Sequence, residues 1–266
     1  TITATGALKG NYLSLAALDL HSHGVLDMYV GTDAGDIEYW KNDGGIYSLQ
    51  LSSLNPFSNL RDKGPNAAIF AVDINGDGLL DMYVGNKAGT IVFYKNTGTP
   101  TIPVFVPGDS KLINWILYPG SPGTIKGLGF GSNPVPCFVD IDDDGDQDLF
   151  VGNNLGMIFF VKNIGTATDP SFAIQCDIDA SCPTTGTFSQ KNSGTGNPFH
   201  LVNVGSYAAP FPIDFDNDGD MDMAVGNKDG ILKYFQNTGS PTNPSFTEQK
   251  DTSECHSFFL VFFKLN

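Results

Sequence analysis

Residues 73–96 read DINGDGLLDMYVGNKAGTIVFYKN, and the same pattern occurs three more times in this chain of 266 residues. The four copies begin at Asp19, Asp73, Asp140 and Asp214. Each copy has a second aspartate at offset eight, glycines at offsets twelve and sixteen, and an asparagine at offset twenty-three. No copy has an insertion or deletion within this unit, whereas the joining segments differ in length. A constant unit with variable connectors is typical of a protein built from repeated supersecondary units.

Each unit contains short apolar runs that favour β-strands. In the second copy, one run precedes the first aspartate at 69–72, a second follows the acidic segment at 80–84, and a third occupies 91–94. Val, Ile, Phe and Tyr are frequent in these runs, and the glycine at offset sixteen suits a tight hairpin. A Pro-x-aromatic step after the asparagine predicts a fourth, outer strand. Four short antiparallel strands per copy predict an all-β protein of the β-propeller class.

We therefore predict one β-propeller-type domain over residues 1–266, with repeat cores at 16–49, 69–106, 137–174 and 211–248. Four copies leave three arrangements open: a closed small propeller, a fragment of a longer one, or a propeller completed by another chain. Residues 258–263 read FFLVFF, which would promote aggregation on an exposed sheet edge. The segment 250–266 is therefore predicted to close the sheet or to pair with a partner chain.

The acidic segments of three copies have the composition of a calcium-binding loop. They read DINGDGLLD, DIDDDGDQD and DFDNDGDMD, with oxygen-bearing side chains at positions 1, 3, 5 and 9 and a glycine at position 6 that permits a sharp turn. Calcium takes six or more oxygen ligands, and the peptide carbonyl at position 7 can supply one more. An EF-hand would need a glutamate at position 12, where these copies have valine within a predicted strand, so an EF-hand is disfavoured.

The repeats resemble the FG-GAP/VCBS family, which includes the propeller of the integrin α-subunit. The resemblance extends from about Ala16 to Phe246 and rests on the three acidic loops at constant distances from the repeated glycines and asparagine. It implies that each loop joins the first two strands of a blade and holds one of about three Ca²⁺ ions. The side-chain ligands would be Asp73, Asn75, Asp77 and Asp81; Asp140, Asp142, Asp144 and Asp148; and Asp214, Asp216, Asp218 and Asp222. The carbonyl ligands would belong to Leu79, Asp146 and Asp220.

The first copy departs from this pattern, because it reads DLHSHGVLD. His21 and His23 stand where the other copies have aspartate or asparagine, and imidazole is a poor ligand for calcium and a good one for zinc or copper. Two interpretations stay open. Asp19, His21, His23 and Asp27 form a transition-metal site, or the loop has lost its metal and kept its turn at Gly24.

Composition narrows the class of function. The formal net charge of −15 and pI of about 4.3 disfavour nucleic-acid binding, since a phosphate backbone would be repelled. No apolar run approaches the roughly 20 residues of a membrane span. No HExxH, GxSxG or CxxC motif occurs, and a catalytic site would appear once rather than three times, so we expect no enzyme. Short calcium loops need abundant calcium, which favours an extracellular or cell-surface location.

Three functions remain as hypotheses. The first is a binding or adhesion module whose loops recognise a protein or a glycan, with the connectors 99–137 and 166–210 and their aromatic residues Trp115, Tyr118 and Tyr207 as candidate contacts. The second is a structural subunit of an extracellular assembly that associates with itself through its termini. The third is an accessory domain of a larger secreted enzyme.

Overall fold

A computed structural model describes residues 3–5, 14–60, 64–108, 124–125, 130–174, 197–199 and 202–249. Within them, four antiparallel four-stranded sheets are arranged as the blades of a four-bladed β-propeller, with almost no helix. The predicted fold class is therefore confirmed. The segment 250–266 lies outside the described residues, as do Trp115 and Tyr118. No helix in the described ranges has the length and apolar character needed to cross a membrane.

The strands of each blade follow one another in sequence and pair in that order. A short strand, β1 (Thr3–Thr5), precedes the first blade, whose strands are β2 (Ser14–Leu18), β3 (Asp27–Gly31), β4 (Ile37–Asp43) and β5 (Ile46–Gln50). The second blade contains β6 (Ala68–Val72), β7 (Asp81–Gly85), β8 (Ile91–Asn96) and β9 (Phe105–Pro107), and β10 (Thr124–Ile125) follows it. The third blade contains β11 (Val135–Val139), β12 (Asp148–Gly152), β13 (Ile158–Asn163) and β14 (Phe172–Ile174). The fourth contains β15 (Ala209–Ile213), β16 (Asp222–Gly226), β17 (Leu232–Asn237) and β18 (Phe246–Gln249).

Two short strands extend the blades in a way that the repeat did not predict. The strand β1 pairs in parallel with β5 at the outer edge of the first blade. The strand β10 pairs with β8 beside β9 in the second blade. Both additions come from segments outside the repeat unit, so the repeat pattern contains no signal for them.

The hairpin between the second and third strands of each blade turns at the glycine of offset sixteen. The backbone φ angles are 89° at Gly35, 84° at Gly89, 81° at Gly156 and 75° at Gly230. These values lie in the left-handed region that glycine adopts without a steric penalty. The prediction of a glycine-dependent hairpin at this offset is therefore confirmed in all four copies.

Successive blades pack against each other through their first strands, with β2 contacting β6, β6 contacting β11, and β11 contacting β15. A buried apolar cluster fills each of these three interfaces. Aromatic rings contribute to each cluster, as where Tyr83 and Phe138 pack with their ring centres 4.4 Å apart across the interface of the second and third blades. Cys137 is fully buried in the cluster between the third and fourth blades. The propeller is thus a series of sheets whose core lies between blades.

The glycine at offset twelve allows the blades to approach closely. A Cβ atom added to Gly31, Gly85 or Gly152 would overlap a backbone carbonyl oxygen just before the first strand of the next blade. These oxygens belong to Ala67, Pro134 and Ala208. The equivalent Gly226 of the fourth blade has no atom within 4 Å of that position. The repeat therefore places glycine where two backbones meet, and only the fourth copy lacks that neighbour among the described residues.

The two terminal blades expose apolar side chains that the inner blades bury. Leu232 in β17 is 51% exposed, whereas its counterparts Ile37, Ile91 and Ile158 are at most 2% exposed. On the first blade, Leu15 is 64% exposed, whereas its counterpart Ile69 is 5% exposed. Within the described part of the chain, the outward faces of the first and fourth blades are therefore two uncovered halves of the inter-blade contact.

Candidate metal centres

The acidic loops share a hydrogen-bonded frame built on the aspartate at position 1. In the second blade, the Asp73 carboxylate accepts the backbone N–H groups of Asp77 and Gly78, at 3.1 and 2.8 Å. In the third blade, Asp140 accepts those of Asp144 and Gly145, at 3.1 and 2.9 Å. The chain therefore curls around the first carboxylate, as the turn at position 6 predicts.

The aspartate at position 9 ties the loop to the third strand of its own blade. Its Oδ1 atom accepts the backbone N–H of the repeat asparagine, at 2.7 Å from Asn96 to Asp81 and at 2.6 Å from Asn163 to Asp148. The same bond joins Asn42 to Asp27 and Asn237 to Asp222. Sequence reasoning used the asparagine only as a repeat marker and missed this contact.

The repeat asparagine also organises the turn that leads to the outer strand. The side-chain oxygen of Asn163 accepts the N–H groups of Gly165 and Ser171, at 3.0 and 2.9 Å. Asn96 and Asn237 make the equivalent pair of bonds in the second and fourth blades. One residue thus connects the acidic loop with the turn between the third and fourth strands, which explains its constant spacing from the first aspartate.

Two loops bring three carboxylates together. One ligand-type oxygen from each of Asp140, Asp142 and Asp144 lies within 4.8 Å of the others, and the same holds for Asp214, Asp216 and Asp218. Cationic side chains offset part of the charge in the second and third loops, where Lys95 lies 3.4 Å from Asp77 and Lys162 pairs with Asp142. The third and fourth loops therefore show the predicted convergence of positions 1, 3 and 5.

These two loops also contain buried carboxylate oxygens that have no hydrogen-bond partner among the described residues. They are Oδ1 of Asp142, Oδ1 of Asp146, Oδ2 of Asp148, Oδ1 of Asp214 and Oδ1 of Asp220. A buried carboxylate oxygen without a partner is costly, and a cation is the partner that removes the cost for several oxygens at once. Calcium is a hard cation that prefers such oxygens, so the donor set fits this ion.

The side chains of Asp146 and Asp220 were missed by sequence reasoning, which assigned only the backbone carbonyl of position 7. Both side chains are buried, with 5% and 8% exposure. Their backbone N–H groups donate to the carboxylates of Asp144 and Asp218, at 3.2 and 3.0 Å, which fixes position 7 inside the loop. The sequence did contain a signal for these side chains, because the third and fourth loops have aspartate at both position 5 and position 7. The carbonyl contribution of Leu79, Asp146 and Asp220 stays a prediction.

Burial and mutual repulsion shift the acidity of the loop carboxylates. Burial raises the pKa of Asp148 to about 8, and the charge of Asp142 adds to the shift while the N–H of Asn163 opposes it. Burial likewise raises the pKa of Asp81 to about 7. A bound divalent cation would favour the ionised form of these groups, because it supplies the opposite charge that the loops lack.

The second loop differs from the other two in having no unpartnered buried carboxylate oxygen among the described residues, although Asp222 of the fourth loop also has a donor at each oxygen. Both oxygens of Asp81 have partners, since Oδ1 accepts the N–H of Asn96 and Oδ2 accepts the side-chain amide of Asn75 at 2.8 Å. The amide of Asn75 therefore occupies the carboxylate that position 9 would offer to an ion. Calcium binding by Asp73, Asn75, Asp77 and Asp81 stays a prediction, and it requires the Asn75 amide to release Asp81.

Tyr207 is the one proposed recognition aromatic within the described ranges. Its ring is partly buried, and the Lys228 ammonium lies 5.6 Å from the ring centre. A cation–π contact of this kind covers one ring face. A ligand that stacks on Tyr207 would therefore have to contact the opposite face of the ring.

The fold and these loops define a class: a four-bladed β-propeller with acidic loops between the first two strands of its blades. No family model matches the chain, and no curated protein sequence matches it. The chain is similar in structure to an Agrocybe aegerita lectin described as recognising non-reducing terminal N-acetylglucosamine, with 18% identity, a TM-score of 0.40, and coverage of 88% of this chain and 50% of the lectin.

Two further solved structures share the similarity. In the Photorhabdus luminescens Tc holotoxin pore, the match has 16% identity and a TM-score of 0.40, and covers 95% of this chain and 10% of the toxin chain. In BBS1N in complex with ARL6DN, it has 15% identity and a TM-score of 0.35, and covers 91% and 59%. The chain thus spans about half the length, or less, of the first two structures.

Proposed function

We propose that this protein is a non-catalytic, calcium-binding recognition module of the FG-GAP/VCBS type that acts outside the cell or at its surface. The observation that carries the calcium assignment is the set of buried, unpartnered carboxylate oxygens in the third and fourth loops. Three divalent ions would offset six of the fifteen net negative charges of the chain. The second loop would hold the third ion once the Asn75 amide releases Asp81.

Calcium in these loops would stabilise the blade rather than touch a ligand directly. The loops join the first strand to the second at one end of each sheet, for example between β11 and β12. Because adjacent strands alternate in direction, the connector to the next blade leaves from the opposite end. The segments that follow β9 and β14 therefore leave the sheet at the end away from the acidic loops, whereas the first residues of the two proposed connectors, 99–104 and 166–171, form turns at the same end as the loops.

The calcium assignment is tested by isothermal titration of Asp148→Asn against the unaltered protein. Asparagine keeps the oxygen that accepts the Asn163 N–H but removes the charge of the buried carboxylate. We expect about three sites in the unaltered chain and the loss of one in the variant. Asp169→Asn is the matched control, because Asp169 is an exposed aspartate of the same blade outside the loop. Equal calcium binding by all three proteins would refute the assignment of the third loop.

Ligand recognition is tested with a glycan array, run in calcium and in EDTA. Propellers present variable loops on a rigid scaffold, and such loops carry function more often than the strands do. Binding of a defined glycan would establish a lectin, with weaker binding in EDTA as the calcium loops lose rigidity. An array without signal, followed by capture of a protein ligand that calcium strengthens, would instead favour adhesion to proteins. Absence of both would contradict the recognition function.

Self-association is a second candidate, favoured by the faces of the terminal blades that the described residues leave uncovered. The three inter-blade contacts within the chain follow one pattern, in which the face carrying Ile37, Ile91 or Ile158 receives the first strand of the next blade. The fourth blade offers the same face through Leu232, and the first blade of a second copy offers the matching strand through Leu15. A head-to-tail contact of this kind builds a ring or a filament.

Sedimentation equilibrium over a range of protein concentrations in calcium tests this candidate. We expect the unaltered chain to associate, and Leu232→Ser and Leu15→Ser to weaken the association at least tenfold, because each removes apolar area from one half of the contact. Leu155→Ser is the control, since Leu155 is 58% exposed at a hairpin of the third blade. A monomer at every concentration, or equal effects of all three substitutions, would contradict the contact between copies.

A further inference from the structure

The loop of the first blade has a chemistry that calcium binding does not explain. Its frame is the same as in the other blades, since Asp19 accepts the N–H groups of His23 and Gly24 at 2.9 and 2.8 Å. At positions 3 and 5, however, it carries the imidazoles of His21 and His23 in place of oxygen-bearing side chains. Two nitrogen donors therefore occupy the positions that bring ligands together in the other loops.

The two imidazoles converge on one buried carboxylate. The Nε2 atom of His23 lies 3.1 Å from Oδ2 of Asp27, and Nδ1 of His21 lies 3.4 Å from the same oxygen. One ligand atom from each residue lies within 4.8 Å of the other two. Asp27 is fully buried, and the two rings are nearly parallel with their centres 6.0 Å apart. The three side chains thus form a compact group of two nitrogens and one oxygen.

The spacing of this group suits a small tetrahedral ion. Zinc binds histidine nitrogen and carboxylate oxygen at about 2.0–2.2 Å, which places tetrahedral ligands about 3.4 Å apart. The nitrogen-to-oxygen separations of 3.1 and 3.4 Å are close to this value, and zinc would replace the hydrogen bond between Nε2 of His23 and Asp27. Calcium, with longer bonds and a preference for oxygen, gains little from two imidazoles.

Hydrogen bonds from neighbouring residues orient the Asp27 carboxylate within this group. The Tyr39 hydroxyl donates to Oδ2 of Asp27 at 2.9 Å, and the Asn42 N–H donates to Oδ1 at 2.8 Å, so the carboxylate is oriented from β4. Hydrogen bonds from outside the ligand set orient ligands in many metal sites.

We propose that His21, His23 and Asp27 form a zinc site in the first blade, separate from the calcium loops. The ligand set leaves out Asp19 of the four-residue site considered from the sequence, because the ligand atoms that converge within 4.8 Å belong to His21, His23 and Asp27. Oδ1 of Asp19 lies 3.5 Å from Nδ1 of His23, and the backbone N–H of Val25 donates to the same nitrogen at 3.3 Å. Bound zinc would link the loop to the start of β3, as calcium would link the loops of the other blades.

Zinc titration calorimetry in saturating calcium tests this site, since calcium keeps zinc away from the carboxylate loops. We expect one zinc ion to bind the unaltered chain and His21→Ala and His23→Ala each to weaken that binding at least tenfold. His200→Ala and His256→Ala remove the other two histidines of the chain and serve as matched controls that retain the site. The melting temperature of each variant in calcium verifies that it is folded.

The double variant His21→Asp/His23→Asp provides a second, independent test. It converts the loop into DLDSDGVLD, with the oxygen pattern of the other three loops. We expect it to lose the zinc site and to bind one more calcium ion than the unaltered chain. Zinc binding that is absent from the unaltered protein, or unchanged in both alanine variants, would overturn the proposal and leave a hydrogen-bonded turn. Either result leaves the calcium assignment of the other loops unaffected.

Discussion

Removal of calcium with excess EDTA is expected to lower the melting temperature of this protein by about 15–30 °C. An ion that binds only the folded state at one hundred times its dissociation constant contributes about 2.7 kcal/mol, so three such ions contribute about 8 kcal/mol. For a domain of this size, each kcal/mol shifts the melting temperature by about 2–4 °C. Without the ions, the loops hold clustered carboxylates whose buried oxygens have no partner.

The measurement is thermal unfolding followed by circular dichroism, combined with a metal count on the purified protein. Readdition of calcium should restore the transition, and magnesium at the same concentration should restore less of it, because magnesium demands a tighter octahedral geometry and retains its water. A protein that contains no metal and melts at the same temperature in calcium and in EDTA would show that the acidic loops are not sites. The proposed function would then lose its main support.

Substitution of Gly85 by alanine is expected to destabilise the protein by about 3 kcal/mol, a fall of about 6–12 °C in melting temperature. The new Cβ would overlap the backbone carbonyl oxygen of Pro134, at the contact between the second and third blades. The obstacle is backbone rather than a flexible side chain, so relief requires the two blades to separate. Their shared core, which includes Tyr83 and Phe138, would loosen as they do so.

Gly226→Ala is the matched control, because it makes the same change at the same repeat position of the fourth blade. No atom lies within 4 Å of its Cβ position among the described residues, so we expect a change of no more than about 0.5 kcal/mol. Both variants should be compared in saturating calcium by thermal or urea unfolding. Equal destabilisation of the two variants would show that the glycine is required within the blade. Blade approach would then not be the reason for its recurrence.

Much of the blade was predictable because its determinants are local. Apolar runs of four or five residues, a glycine at the hairpin and a proline before the outer strand each act within a few residues of the chain. The glycine at offset sixteen is an example, since its left-handed backbone in all four copies follows from a two-strand turn. The convergence of Asp140, Asp142 and Asp144 was predictable for the same reason, because one tight loop holds all three.

Differences between the four loops depend on side-chain contacts that the spacing of the repeat does not predict. The second loop has the same ligand pattern as the third, yet the Asn75 amide pairs with Asp81, because an asparagine can donate where an aspartate cannot. In the first and fourth blades, a tyrosine of the third strand, Tyr39 or Tyr234, donates to the aspartate at position 9, a contact that the phenylalanines at this offset in the other two blades cannot make. These differences appear only when the third strand and the loop are placed side by side.

The sequence by itself determined the four-stranded blade, its four repeats and the residue types in each loop between the first and second strands. All of these arise from the spacing of residues within a continuous unit. The tertiary structure decided which contacts the regularly spaced residues make. It showed that the asparagine ties the loop to the next turn, that the glycine at offset twelve admits the neighbouring blade, and that His21 and His23 meet on one buried carboxylate. The physical reason is that close packing and burial involve residues distant in sequence, and these decide which polar atoms are left without a partner.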